Sequence, residues 1–173
     1  MESTLIFTDY IDSPLGLIEI QASHKGLTRV EFSQTEAKQI HRNEITTRCK
    51  QQLQQYFDCE RSKFDLPLDQ QGTTFQKSIW NCLLTIPFGE TVSYGDIAEM
   101  VNNRKAVRAV GAANGKNPIS IIVPCHRVIG ANQTLTGYAG GLARKAWLLQ
   151  HEGAAFNDSA EEHNKFQPDL FEA

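Results

Sequence analysis

The chain has 173 residues, 40% of them hydrophobic, a formal net charge of −3 and four cysteines. That is long enough for a real core, in one domain or in two small ones sharing an interface. No apolar run approaches the length of a membrane span, and no leader-like segment opens the sequence, so a soluble protein of the reducing cytosol is expected. Cys49, Cys59, Cys82 and Cys125 are scattered, with no CxxC pair and no cysteine–histidine spacing that would hold zinc. Neither a metal nor an organic cofactor is expected.

In chain order, residues 5–11, 17–22 and 27–32 are short runs rich in β-formers, separated by Asp12-Ser13-Pro14-Leu15-Gly16 and His24-Lys25-Gly26. Turn residues between apolar runs predict a three-stranded antiparallel meander. Ile45, Cys49, Leu53, Tyr56 and Phe57 then recur at helical spacing, predicting one amphipathic helix over one face of the sheet. Residues 64–72, with Pro67 inside and Asp69-Gln70-Gln71-Gly72 at the end, read as an extended connection, which places a domain boundary near Gln70.

Thr73 with Gln76 is a capping-box pattern, and Phe75, Ile79 and Leu83 continue it as a core helix ended by Pro87-Phe88-Gly89. Ser93 with Asp96 opens a second short helix, Tyr94 to Val101, which stops at Asn102-Asn103. A third, from about Lys105 to Gly115, completes a helix-turn-helix. That third helix is thin: Ala106, Ala109, Gly111, Ala112, Ala113 and Gly115 leave it little bulk, although an interior glycine costs about 1 kcal/mol relative to alanine. Close packing against another helix would explain this, and so would entry into the DNA minor groove, only about 6 Å wide. Charge bears on the choice. Residues 100–151 hold seven basic residues (Arg104, Lys105, Arg108, Lys116, Arg127, Arg144, Lys145) and no acidic one, an electrostatic footprint for a polyanion.

Residues 121–130, Ile-Ile-Val-Pro-Cys-His-Arg-Val-Ile-Gly, begin as a β-branched run that reads as a buried strand delivering Cys125 at its end, immediately after Pro124. On spacing alone, Cys125 is a buried small hydrophobe with His126 and Arg127 facing water. Residues 131–141 form a polar, glycine-rich loop, residues 142–150 a helix closed by Gly153, and residues 154–173 a mobile acidic tail. The expected organisation is therefore α+β. An N-terminal supporting domain (1–70), a small antiparallel sheet with a helix, precedes a mostly helical domain (71–153) carrying the helix-turn-helix and the cysteine.

The string Pro124-Cys125-His126-Arg127-Val128 resembles the active-site signature of the O6-alkylguanine-DNA alkyltransferases, of the bacterial type. Arg108-Ala109-Val110-Gly111-Ala112-Ala113, Asn117-Pro118, Gly137-Tyr138, Gly140-Gly141, Lys145, Trp147-Leu148-Leu149 and His151-Glu152-Gly153 extend the match over the last half of the chain. The resemblance implies a suicide reaction. Cys125 takes the alkyl group from O6-alkylguanine, or O4-alkylthymine, in double-stranded DNA and is never regenerated. It implies that Glu152 orients His126, which deprotonates Cys125 through a bridging water, and that Tyr94 donates to guanine N3. Asn117 would tie the turn before the cysteine, and Arg108 would enter the base stack vacated by the flipped nucleotide. Ala109, Gly111, Ala112, Asn114 and Arg127 would contact DNA, and Val128, Tyr138 and Ala139 with Tyr94 would line the base pocket. A monomer is expected. The rival readings are a non-enzymatic damage-binding or regulatory helix-turn-helix module and a cysteine hydrolase. One further partner is suggested at the C-terminus. Gln167-Pro168-Asp169-Leu170-Phe171 resembles the short peptides by which bacterial repair proteins bind the sliding clamp, with Gln167, Asp169, Leu170 and Phe171 as the anchors.

Overall fold

The computed structural model describes residues 5–157, which fall into two compact units, 5–71 and 72–157. The first unit holds β1 (Phe7–Ile11), β2 (Ile18–Ala22) and β3 (Leu27–Phe32) in an antiparallel sheet of order β1-β2-β3, followed by α1 (Glu44–Phe57). Ile18, Ile20 and Ala22 alternate into the core along β2, as period two requires, opposite Cys49, Leu53 and Tyr56 of α1. Asn43 starts α1, accepting a hydrogen bond from Thr46 N at 2.9 Å while Thr46 Oγ1 accepts from Asn43 N at 3.0 Å. The connection after α1 returns to the sheet. Leu27 N donates to Pro67 O and Asp69 N to Leu27 O, and the approach is so close that a side chain at Gly26 would meet the backbone of Pro67 and Leu68 at 2.7 Å.

The second unit contains α2 (Thr74–Leu83), β4 (Val92–Ser93), α3 (Tyr94–Met100), α4 (Val107–Gly115), β5 (Val128–Ile129) and α5 (Leu142–His151). Both expected capping boxes are formed, Thr73 with Gln76 at α2 and Ser93 with Asp96 at α3. A single 3-10 turn, Arg104–Ala106, leads into α4. Helix α4 packs on α2 and α3, with Val110 and Ala113 buried, and the Trp80 indole of α2 donates to Ala113 O at 2.9 Å. The short strands β4 and β5 are parallel, pairing Val92 with Val128 and Ser93 with Ile129, so the start of α3 and the segment after the cysteine are fixed side by side.

Two expectations require correction. The β-branched run from Ile121 to Val123 is part of a buried loop, 119–123, not a strand. Ile122 N bonds Ser120 O and Val123 N bonds Ile119 O, and Ile121 has φ +71°. One side chain makes this possible: Asn117 Oδ1 accepts from Ile119 N at 3.0 Å, and its Nδ2 donates to Val123 O at 2.8 Å. With those backbone groups satisfied locally, the apolar side chains are buried without a sheet partner. Packed structure also continues past the expected tail boundary at 154. Ala154 and Phe156 pack on Ile129, Leu135, Ala146 and Leu149, and Asn157 N donates to Gln133 O. The remaining tail, with its clamp-like peptide, lies outside the described residues.

Candidate active site

Cys125, His126 and Arg127 form a 3-10 turn immediately after Pro124, and all three are buried. The turn, unlike the extended chain expected there, sends the three side chains to different neighbours. His126 Nε2 lies 2.8 Å from Glu152 Oε2 at the end of α5. A carboxylate can only accept, so Nε2 carries the proton and the Nδ1 lone pair is available. Nδ1 has no protein partner among the described residues. Burial pushes the imidazole below its ordinary pKa, against the pull of Glu152, so His126 is a neutral base at physiological pH.

Arg127 was expected at the DNA surface, and the structure places it elsewhere. Its Nε and Nη2 donate to Glu152 Oε1 and Oε2 at 2.8 and 3.1 Å, and its Nη1 donates to Ile86 O. The guanidinium is thus committed to a buried fork-to-fork pair. For Glu152, burial alone would raise the carboxyl; the hydrogen bonds from His126 and Arg127 and the guanidinium charge outweigh that and hold it well below the usual range.

Asn114, expected to contact DNA, also lies elsewhere. It sits on the inner face of α4, 4% exposed, and its Nδ2 donates to Cys125 O at 3.3 Å. It is a strut between helix and cysteine turn, not a DNA contact. By contrast Arg108, Ala109 and Ala112 lie on the exposed face of α4, and Gly111 is half-buried against the Tyr94 ring.

Burial raises the Cys125 thiol, while the Asn117 side chain and then the Lys145 charge oppose it. Tyr94 begins α3, and its hydroxyl meets Thr136 of the glycine-rich loop. That loop continues through Tyr138, whose buried hydroxyl is raised well above its ordinary pKa by burial, to exposed Ala139. Val128, fully buried in β5, donates its N–H to Cys125 O.

Lys145, counted from the sequence among the cations that would face a polyanion, is instead fully buried and donates to Thr136 O at 2.6 Å and Gly137 O at 3.2 Å. Burial pushes its ammonium down to about 8. The signal was available: on α5 it occupies the same stripe as Leu148 and Leu149, where a solvated lysine does not belong.

A buried nucleophile with a neutral base oriented by a carboxylate, under a helix of small residues with a basic exposed face, defines a thiol group-transfer protein that works on a polyanion. Comparison with known proteins makes this specific. Residues 74–154 match the 6-O-methylguanine DNA methyltransferase DNA-binding domain, and residues 6–70 match the ribonuclease-like domain of 6-O-methylguanine DNA methyltransferase. The chain belongs to the 6-O-methylguanine DNA methyltransferase family. It is 48% identical to the methylated-DNA–protein-cysteine methyltransferase of Methanosarcina acetivorans over 83% of this chain and 96% of that one. The Haemophilus influenzae protein of that name is 40% identical over 94% of each. Among solved structures, the Mycobacterium tuberculosis O6-methylguanine methyltransferase superposes with a TM-score of 0.78 at 40% identity, covering 96% of this chain and 99% of that one. A complex of the Mycobacterium tuberculosis protein with DNA gives 0.76 at 47% identity, covering 83% and 91%.

Proposed function

We propose that this protein repairs DNA by moving the alkyl group of O6-alkylguanine, or of O4-alkylthymine, onto Cys125, once per molecule. The observation that carries the reading is a buried Cys125 beside His126, whose ring is held by Glu152 and, through it, Arg127. His126 Nδ1 takes the thiol proton through one bridging water, and Glu152 stabilises the imidazolium that results. The thiolate sulfur then bonds the alkyl carbon as the carbon–O6 bond breaks, and that electron pair stays with the guanine. The thiol has given up one proton and the released guanine takes one up. Tyr94 donates a hydrogen bond to guanine N3 as negative charge builds on the ring. The product thioether has no good leaving group, so the protein is consumed.

Small residues on the exposed face of α4 support minor-groove entry, with Ala109, Gly111 and Ala112 against the DNA. Arg108 fills the stack where the damaged nucleotide has been extruded. Val128, Tyr138 and Ala139 border the base pocket, and Asn117 holds the turn behind the nucleophile. The protein acts as a monomer in the cytoplasm. Among the described residues no helix is long and apolar enough to cross a membrane. To test the reading, the protein is mixed with a duplex carrying one O6-methylguanine, digested and mapped by mass spectrometry. One methyl on the peptide holding Cys125, and none after Cys125→Ser, is expected; a methyl on another residue contradicts it.

The C-terminal peptide supports a second interaction. Gln167, Asp169, Leu170 and Phe171 match a clamp-binding pattern, and a docking peptide would raise the enzyme's effective concentration near replicating DNA. Titrating a purified bacterial clamp with the tail peptide tests this. Micromolar binding lost on Leu170→Ala with Phe171→Ala is the expected result, and no binding by the native peptide ends it.

A further inference from the structure

Thr136 is absent from the catalytic scheme above, yet it is where three parts of the site meet. Its Oγ1 donates to Tyr94 Oη at 3.1 Å, while its carbonyl receives the buried Lys145 ammonium at 2.6 Å. The same carbonyl is the phenol's own acceptor, at a long 3.4 Å. Lys145 Nζ also bonds Gly137 O and lies 6.0 Å from the centroid of the Tyr94 ring. Loop, phenol and ammonium therefore form one network.

The directions of these bonds matter. A phenol has one proton to give and lone pairs with which to accept. Here a lone pair is filled by the Thr136 hydroxyl, and the proton is only weakly held by a carbonyl already engaged by a cation. A hydrogen bond accepted by an oxygen also polarises its O–H, which strengthens the bond that oxygen donates. We propose that Thr136, with its backbone fixed by Lys145, is a positioning residue that makes Tyr94 an effective donor: its hydroxyl saturates the phenol oxygen and leaves the phenol proton to be passed from the loop carbonyl to the base. The inference rests on Tyr94 acting as the donor to guanine and deepens that role. The charges around the phenol act consistently. Burial raises Tyr94, the Thr136 hydrogen bond lowers it, and a developing Cys125 thiolate raises it again. Thr136 thus counteracts the environment that would otherwise make the phenol a weaker acid.

Thr136→Val keeps the side-chain shape and removes the hydroxyl; Thr136→Ser restores it. Single-turnover rates on methylated duplex are measured for both, for Tyr94→Phe, and for the Tyr94→Phe/Thr136→Val pair, with thermal melts confirming that each is folded. Transfer by Thr136→Val is expected to be roughly fivefold slower, the worth of one hydrogen bond. Thr136→Ser should recover the rate, and Thr136→Val should cost nothing further once Tyr94 is Phe. Carbon-13 NMR of labelled tyrosine, with the Tyr94 signal assigned from Tyr94→Phe, should show the phenol titrating at higher pH in Thr136→Val. A wild-type rate for Thr136→Val, the same slowing in the Tyr94→Phe background, or an unmoved phenol titration overturns the proposal while leaving Tyr94's role intact. A wild-type rate for Tyr94→Phe itself removes that role and the proposal with it.

Discussion

Glu152 accepts from three donors of His126 and Arg127 and is almost wholly buried, so its charge is tied to the fold as well as to catalysis. Its folded-state pKa is depressed, so the stability it contributes is fully present above the ordinary glutamate value of about 4.3. That stability is lost as pH falls below that value toward the folded one. Urea midpoints should therefore drop more steeply between pH 6 and pH 3.5 in the wild type than in Glu152→Gln. At pH 7 Glu152→Gln should cost about 3 kcal/mol or more, because it strands a buried guanidinium. A variant as stable as the wild type would mean that the Arg127–Glu152 pair is not structural. For His126→Ala the expectation is slower transfer at unchanged one-to-one stoichiometry, read by quenched-flow on methylated duplex.

Helix α4 carries the binding claim at the level of elements. Ala112 is exposed there, and leucine is nearly as good a helix former as alanine, so Ala112→Leu should leave the melting temperature within a few degrees. If the helix enters a narrow groove, the added bulk should weaken duplex binding by about tenfold or more, the effect of excluding a well-fitted contact. Unchanged affinity in a fluorescence anisotropy titration would place DNA on another face. Where local rules govern, the sequence was legible: the caps at Thr73 and Ser93, the apolar stripe of α1 and the glycine-free strands β1 to β3 can all be read from neighbours a few residues apart. It was not legible where one specific side-chain hydrogen bond decides, whether near or far along the chain. The run from Ile121 to Val123 has the composition of a buried strand, yet the Asn117 side chain, bonded to Ile119 N and Val123 O, helps hold 119–123 as a loop. Arg127 reads as a surface cation because its partner, Glu152, is 25 residues away. Asn114 reads as a polar contact because nothing local shows that it faces the Cys125 carbonyl.

For the molecule as a whole, the basic footprint is smaller than its composition suggests. Of the seven cations between Met100 and His151, Arg127 and Lys145 are buried and Arg144 is half-buried. Arg104, Lys105, Arg108 and Lys116 are exposed. If those four meet phosphates, log affinity for duplex should fall against log salt with a slope of roughly −3.5, at about −0.9 per contact. A slope near −6 would require phosphate contacts beyond those four. The claim on which the rest depends is that Cys125 accepts the alkyl group and keeps it. The most direct measurement is a titration of a fixed amount of protein against excess duplex containing O6-methylguanine, followed until repair stops. One guanine restored per active protein, with one methyl retained on Cys125 and no slow phase afterward, is the predicted result. Continued repair beyond one equivalent, or repaired DNA with an unmodified Cys125, would contradict it.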